Sequence, residues 1–222
     1  MRSEVQIIGD TSTIIIERFD RYRDASDGLI KRIHQEDCCQ ALGVHPAAKF
    51  QSEGGPGLIE IMDLLRFSKS PDTDRDRFMR AQVFNALIGG TDAHAKNYSI
   101  IYEPGGGFRL TPLYDVISFL PYQQRGSQLR LAMTIGGKRA IDEIRAEHWQ
   151  RAAKRCGYGE ERVVAQVRDL AARLPNLAAT VRTACNQAGL RGEVLERLVD
   201  GIAENAGRIG KPGGQYRQTL LR

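Results

Sequence analysis

The stretch TDAHAKNYSIIYEPGGGFRLTPLYDV, Thr91 to Val116, sets Asp92 five residues before Asn97 and Asp115 eighteen residues after that asparagine. Between Asn97 and Asp115 lie two β-like runs, Tyr98 to Glu103 and Phe108 to Pro112. Pro104, Gly105, Gly106 and Gly107 join them with the loop chemistry of a short hairpin. Gly89 and Gly90 stand just ahead, where they would stop a preceding helix and hand the chain to this segment.

The spacing suits phosphoryl transfer. Moving a phosphoryl group needs a nucleophile held in line and cations that neutralise the phosphate oxygens, with little covalent work by the protein. In protein kinases an aspartate orients the substrate hydroxyl and an asparagine five residues later holds a magnesium ion. An aspartate after a short hairpin completes the metal site. Asp92, Asn97 and Asp115 stand in those three places. A plainer reading gives them to structure, with Asp92 capping a turn after Gly90, Asn97 opening a strand and Asp115 ending one. The DxxxxN spacing alone leaves both readings open, and the hairpin with its second aspartate favours the chemical one.

Around this segment the composition is that of a folded protein, with 41% hydrophobic and 27% charged residues over 222 positions. That length fits one domain, or one large lobe of something bigger, with a sizeable core. No run approaches the roughly 18 consecutive apolar residues of a membrane helix. The first fifteen residues carry Glu4 and Asp10 and alternate polar with apolar, unlike a secretory signal. A cytoplasmic protein with no membrane association is the expectation. Adjacent Cys38 and Cys39, with Cys156 and Cys185, do not form a disulfide framework and are expected to be reduced. A net charge of +5 and a pI near 9.1 permit contact with nucleic acid or an acidic protein without proving either. From Gly207 to Arg222 the basic residues Arg208, Lys211, Arg217 and Arg222 have no acidic neighbour, which reads as a basic tail.

The runs Val5 to Ile8 and Thr13 to Phe19 flank Gly9 and Asp10 and predict an opening hairpin. A short helix fits Gln35 to Leu42, stopped by Gly43, and the loop SEGGPG at Ser52 to Gly57 follows it. Leu58, Ile61, Met62 and Leu65 repeat at helical spacing. After Pro71 and a charged turn, Phe78, Val83, Phe84, Leu87 and Ile88 mark another largely buried helix. Four further helices are expected at Ile141 to Cys156, Glu160 to Leu174, Leu177 to Ala188 and Gly192 to Ala206, divided at Gly157, Gly159, Pro175 and Gly189.

The segments ALIGGTDAHAKNYSI and FRLTPLYDVIS resemble the catalytic segments of HipA-type serine/threonine kinase toxins, in which TDAHAKN and LTPLYD recur. ERFDR at Glu17 to Arg21, RIHQEDCCQALG at Arg32 to Gly43, KFQSEGGPG at Lys49 to Gly57 and LRLAMTIGGK at Leu129 to Lys138 resemble further signatures of that family, in the family's order. The resemblance runs from about Ile14 to Trp149. It implies an α+β, mostly α-helical, protein-kinase-like large (C-terminal) lobe with short β-hairpins. It also implies ATP and Mg2+ as cofactors, Asp92 as catalytic base, and Asn97 and Asp115 as magnesium ligands. Glu17, Arg18 and Phe19 would be the hinge against adenine, with His94, Lys96 and Tyr114 among the nucleotide contacts. For His94 a purely packing role competes with ATP contact. The lobe would cover 1–206 ahead of the tail 207–222. The implied partners are a protein substrate, an aminoacyl-tRNA synthetase by resemblance, and a HipB-like antitoxin, with DNA reached only through the antitoxin complex.

The pattern departs from common kinases in one place and from the complete family pattern in another. GGTD stands where common kinases have HRD, so the arginine before the catalytic aspartate is absent. No glycine-rich phosphate loop precedes Glu17, and no lysine occurs before Lys31. A fragment, one half of a split kinase with a small-lobe partner chain, and a pseudokinase are the three expectations this leaves. Where a small lobe would sit, apolar surface is expected to remain exposed near Ile14 to Ile16 and Phe19. Two competing functions are a catalytically inactive remnant binding an antitoxin–DNA complex, with Arg151, Lys154 and Arg155 toward phosphates, and a metal protein built on His34, Cys38, Cys39 and His45. The metal reading lacks the paired CxxC spacing of structural zinc sites.

Overall fold

The structure, a computed structural model, describes residues 3–124 and 126–210. About half of the chain is helical and the strands form small antiparallel sheets, so helix outweighs strand as the sequence led one to expect of an α+β fold. The described chain divides into two compact units. The first runs through Phe78 and resumes from Ala93 to Val116; the second holds Met79–Asp92 and the chain from Ile117 onward.

In the first unit, β1 (Ser3–Ile8) and β2 (Thr11–Ile16) form the expected opening hairpin, with Val5 opposite Ile14 and Ser3 opposite Ile16. β2 ends at Ile16 and not at Phe19, because the chain turns at Phe19 and Asp20 to bury the Asp20 carboxylate beside Arg18 and Arg21. Opposed residues of a pair share one face of a sheet. One face of this hairpin therefore carries Val5, Ile7, Ile14 and Ile16, all exposed, while Phe19 is half-buried. A second hairpin joins β3 (Arg21–Arg23) to β4 (Ile30–Arg32), and Lys31 ties its loop through Asp24 and Asp27.

β5 (Gln35–Asp37) and α1 (Cys38–Ala41) replace the single helix expected from Gln35 to Leu42. The cause is a capping box. The Asp37 carboxylate accepts from the Gln40 amide at 3.0 Å, and the Gln40 side chain accepts from the Asp37 amide at 3.0 Å. A helix closed in this way does not extend backward. α2 (Leu58–Leu64) follows the glycine-rich loop as expected. α3 (Pro71–Ile88) starts earlier than the sequence suggested, since the charged turn forms its first turns. Proline at the first helical position and Asp72 and Asp74 in the first turn satisfy the helix start and its positive pole.

β6 (Ser99–Tyr102) and β7 (Phe108–Leu110) make the predicted central hairpin and join β5 in the order β5-β6-β7. Leu58, Ile61, Met62, Leu65, Phe78, Tyr98 and Ile100 are buried around it, and Phe78 meets Tyr98 edge to face at 4.9 Å. Such a ring pair adds about 0.5–1.5 kcal/mol beyond the burial itself. The edge of β7 that β6 leaves open is closed by α3. Leu110 N donates to Asp74 Oδ2 at 3.1 Å, and Arg77 donates to the carbonyls of Leu110 and Thr111 at 3.1 Å each.

In the second unit, α3 ends at Gly89, where φ is +66° and a Cβ would lie 2.7 Å from Leu120 Cγ. Glycine is the residue that fits both the backbone and the space. Phe119 N donates to Gly89 O at 3.1 Å and the Ser118 hydroxyl to Ile88 O at 2.5 Å, so the helix end is satisfied. β8 (Arg130–Ile135) and β9 (Lys138–Ala140) follow as a hairpin. α4 (Ala146–Cys156) begins five residues after the expected Ile141, because Ile141 N continues the hairpin by donating to Leu129 O at 2.9 Å.

α5 (Glu160–Gln187) is one continuous helix, where a break at Pro175 was expected. Proline removes one intrahelical bond, yet Leu174 and Ala178 on either side pack against the cluster of Ile88, Leu120 and Ile202. Packing outweighs the lost bond. α6 (Glu193–Ile209) runs three residues past the expected Ala206, and the Asn205 side chain donates to Leu87 O at 3.2 Å. The rest of the basic tail, 211–222, lies outside the described residues. The four cysteines are free thiols. Pro175→Ala restores an N–H to the middle of α5 and is expected to raise the unfolding free energy by about 1–2 kcal/mol. Urea denaturation measures it, and a loss of stability would show that the helix needs the proline.

Candidate functional site

A cleft of about 350 Å³ in the first unit is lined by Ile16, Glu17, Arg18, Phe19, Asp20, Gln35, Tyr114 and Asp115. Five residues singled out from sequence, Glu17, Arg18, Phe19, Tyr114 and Asp115, thus share one wall although nearly a hundred positions separate them. The strand β2 delivers Glu17 to Phe19, and the chain leaving β7 delivers Tyr114 and Asp115. The Phe19 and Tyr114 rings sit 6.2 Å apart at 31°, an apolar platform within a polar rim.

Asp115 is exposed and has φ of +52°, a left-handed conformation found at no other described non-glycine residue. Such a backbone costs an ordinary side chain roughly 1–2 kcal/mol, and aspartate and asparagine tolerate it best. The turn aims the chain away from the hairpin just as the carboxylate arrives at the cleft. Asn97 closes a 3₁₀ turn, Ala95–Asn97, ahead of β6, with its amide donating to His94 O at 2.9 Å, and it is buried. Tyr114 couples the two segments. Its hydroxyl donates to Lys96 O at 2.6 Å and lies 2.6 Å from Ser99 Oγ. A phenol has one proton, so Ser99 must donate in the second contact. Burial pushes the Tyr114 phenol up to about 12, against the opposing effect of the Ser99 hydrogen bond.

His94 and Lys96 do not line this cleft. His94 is buried with its ring edge-on to Phe50 at 4.9 Å, which fits the packing reading. The Lys96 ammonium is 2.6 Å from Asp37 Oδ2. Asp92 belongs to the second unit, on the loop after Gly90. Of the alternative metal set, Cys38 and Cys39 are buried and the His34 ring stacks on Tyr102 at 5.0 Å. Burial pushes both thiols up, against the thiolate form a metal needs.

Two cleft residues escaped the sequence reading. Gln35 lines the cleft, and its buried side-chain oxygen has no hydrogen-bond partner. Asp20 accepts from Arg18 Nε and Nη2 at 2.8 and 2.6 Å and also from Arg21. The Arg18 hydrogen bonds are the main cause holding the Asp20 carboxyl at about 2, below its ordinary 3.8. ERFDR is recognisable in sequence, but its internal ion pairing is not. The exposed Asp115 carboxylate and the Asn97 amide are hard oxygen donors. Asn97 does not line the cleft; donors of this chemistry are the kind magnesium takes when waters and phosphate oxygens complete its shell.

The profile of the HipA-like C-terminal domain matches residues 1–178. The protein Y4mE of Sinorhizobium fredii, named as a kinase, is 38% identical over 194 residues, covering 87% of this chain and 45% of its own length. The serine/threonine-protein kinase toxin HipA of Shewanella oneidensis is 31% identical over 186 residues, covering 78% of this chain and 42% of its own. A chain of the solved complex of Shewanella oneidensis HipA, HipB and operator DNA superposes with a TM-score of 0.81 at 22% identity, over 94% of this chain and 51% of that one. The fold is therefore one found in a toxin–antitoxin complex. The chain belongs to the HipA-like C-terminal domain family. It spans under half the length of the curated relatives it matches. No helix among the described residues is long and apolar enough to cross a membrane.

The Asp20 ion pair gives a pH test. A carboxyl depressed in the folded state stabilises it above the unfolded value, and that contribution is lost as pH falls toward the folded value. Asp20→Asn is expected to be less stable than wild type at pH 7, with the gap closing between about pH 4 and pH 2. Chemical denaturation across that range checks it; a constant gap would mean that charge is not what Asp20 contributes.

Proposed function

We propose that this chain is the nucleotide- and magnesium-binding lobe of a HipA-like serine/threonine kinase, acting on a protein hydroxyl in a toxin–antitoxin system. The observation that carries the reading is the shared cleft of Glu17, Arg18, Phe19, Tyr114 and Asp115, with Tyr114 tied to the residue before Asn97. Adenine would lie against the Glu17 to Phe19 segment and the aromatic platform. Asp115 and Asn97 would hold magnesium, which supplies charge neutralisation at the phosphate oxygens. The part given to Asp92 rests on its sequence position, five residues before Asn97. Asp92 takes the proton of the acceptor hydroxyl as that oxygen bonds to the γ-phosphorus, and the bond from phosphorus to the bridging oxygen breaks to release ADP.

The exposed face of Val5, Ile7, Ile14 and Ile16 supports a further small lobe, since a two-stranded hairpin with an uncovered apolar face is marginal by itself. That lobe would add the glycine-rich loop and lysine that the segment before Glu17 lacks. The solved HipA–HipB–DNA complex supports a HipB-like antitoxin as partner, with DNA reached through it. By family resemblance the substrate is an aminoacyl-tRNA synthetase. A second reading keeps only the binding role, that of a catalytically inactive remnant in an antitoxin–DNA assembly like the solved one.

Asp115→Asn keeps the tolerance for a left-handed backbone and removes the charge. It is expected to weaken magnesium-dependent ATP binding by about a hundredfold, whereas Asp92→Ala leaves binding intact and removes transfer. Calorimetry and radiolabel transfer, with the small lobe supplied, separate the two, and equal loss of binding in both variants would refute the division of roles. Binding without any transfer would favour the inactive remnant.

A further inference from the structure

Asn97 and Asp115 lie on different stretches of chain, and each is preceded by a residue locked into a polar circuit. Lys96 Nζ donates to Asp37 Oδ2 at 2.6 Å. The carbonyl of the same Lys96 accepts from the Tyr114 hydroxyl at 2.6 Å. Ser99 Oγ donates to that hydroxyl at 2.6 Å. Ser99 is in turn the direct partner of Asp37 in the β5–β6 pairing, which closes the ring. Cys38 N donates to Tyr98 O at 2.9 Å beside it, so the sheet itself holds the closure. Ser99 is buried, and the side chains of Asp37 and Lys96 are 13% and 33% exposed, so the ion pair is only partly open to water.

Both oxygens of Asp37 are in use, one on Lys96 and the other on the Gln40 amide at the start of α1. The Tyr114 hydroxyl spends its proton inside the ring and offers the cleft its aromatic face. The Lys96 ammonium is likewise engaged away from the cleft. We propose that Asp37, Lys96, Ser99 and the Tyr114 hydroxyl are positioning residues that fix the spacing of Asn97 and Asp115, and so set the affinity of that pair for a divalent cation. The inference rests on the magnesium–nucleotide reading above and gives Lys96 a different task from phosphate contact. Partners behind metal ligands commonly change metal affinity by about 10–100-fold when removed, because they hold the ligands in the geometry the ion needs.

The test uses the full chain, Mn2+ as a paramagnetic probe and a non-hydrolysable ATP analogue. Ser99→Ala removes one bond of the ring. Asp37→Asn keeps a good helix cap and removes the ion pair. In both variants the half-saturating Mn2+ concentration with analogue present, read by electron paramagnetic resonance, is expected to rise by about tenfold. Metal-free affinity for the analogue is expected to stay within about twofold, since neither residue lines the cleft. Metal uptake unchanged in both folded variants overturns the positioning role alone. Equal losses with and without metal, accompanied by a lower Tm, would show a merely structural ring and also overturn it. No metal-dependent uptake by the wild-type chain would overturn the nucleotide reading and the ring's role together.

Discussion

The central sheet depends on a helix standing in for a strand. β5, β6 and β7 are three or four residues long, and β7 would present open backbone groups on one side. Asp74 accepts the Leu110 amide while Arg77 fills the next two carbonyls, and Asp74 has no exposed surface. A buried carboxylate requires such partners, because desolvation without hydrogen bonds costs far more than a net bond returns. The arrangement stops the sheet at three strands and fixes where the chain leaves β7. Everything downstream as far as Asp115 inherits that exit point.

Several basic residues of the first unit are engaged by neighbouring carboxylates. Arg18 and Arg21 meet Asp20, Lys31 meets Asp24 and Asp27, and Lys96 meets Asp37. Paired in this way, the cations serve the local backbone and not a ligand. Asp115, like Glu17, is an exposed carboxylate on the cleft wall, and Asp115 is held there in a left-handed turn.

Where the sequence reading of the fold was right, a local rule and the tertiary context agreed. Gly9–Asp10 and the Pro104–Gly107 loop each closed a hairpin, and Gly89 ended α3. Where it erred, packing overrode the local rule. Pro175 did not divide α5, because Leu174 and Ala178 are anchored on both sides of it. The helix read from Gln35 lost its first turn to β6, because Asp37 caps it from within.

The sequence by itself determined which candidate site residues stand in which order, since Asp92 as candidate base and Asn97 and Asp115 as candidate ligands, with an intervening hairpin, are a matter of residue type and spacing along one continuous segment. It also determined the family, through motifs spread from ERFDR to LRLAMTIGGK. Only the tertiary structure decided that the Glu17 to Phe19 segment and Tyr114–Asp115 form one cleft, that Gln35 and Asp20 join it, and that His94 and Lys96 turn elsewhere. The physical reason is reach: hydrogen bonds and ion pairs between residues 59 or 66 positions apart, such as Lys96 to Asp37 or Tyr102 to Glu36, are set by sheet register and helix capping. No local pattern of residues encodes them.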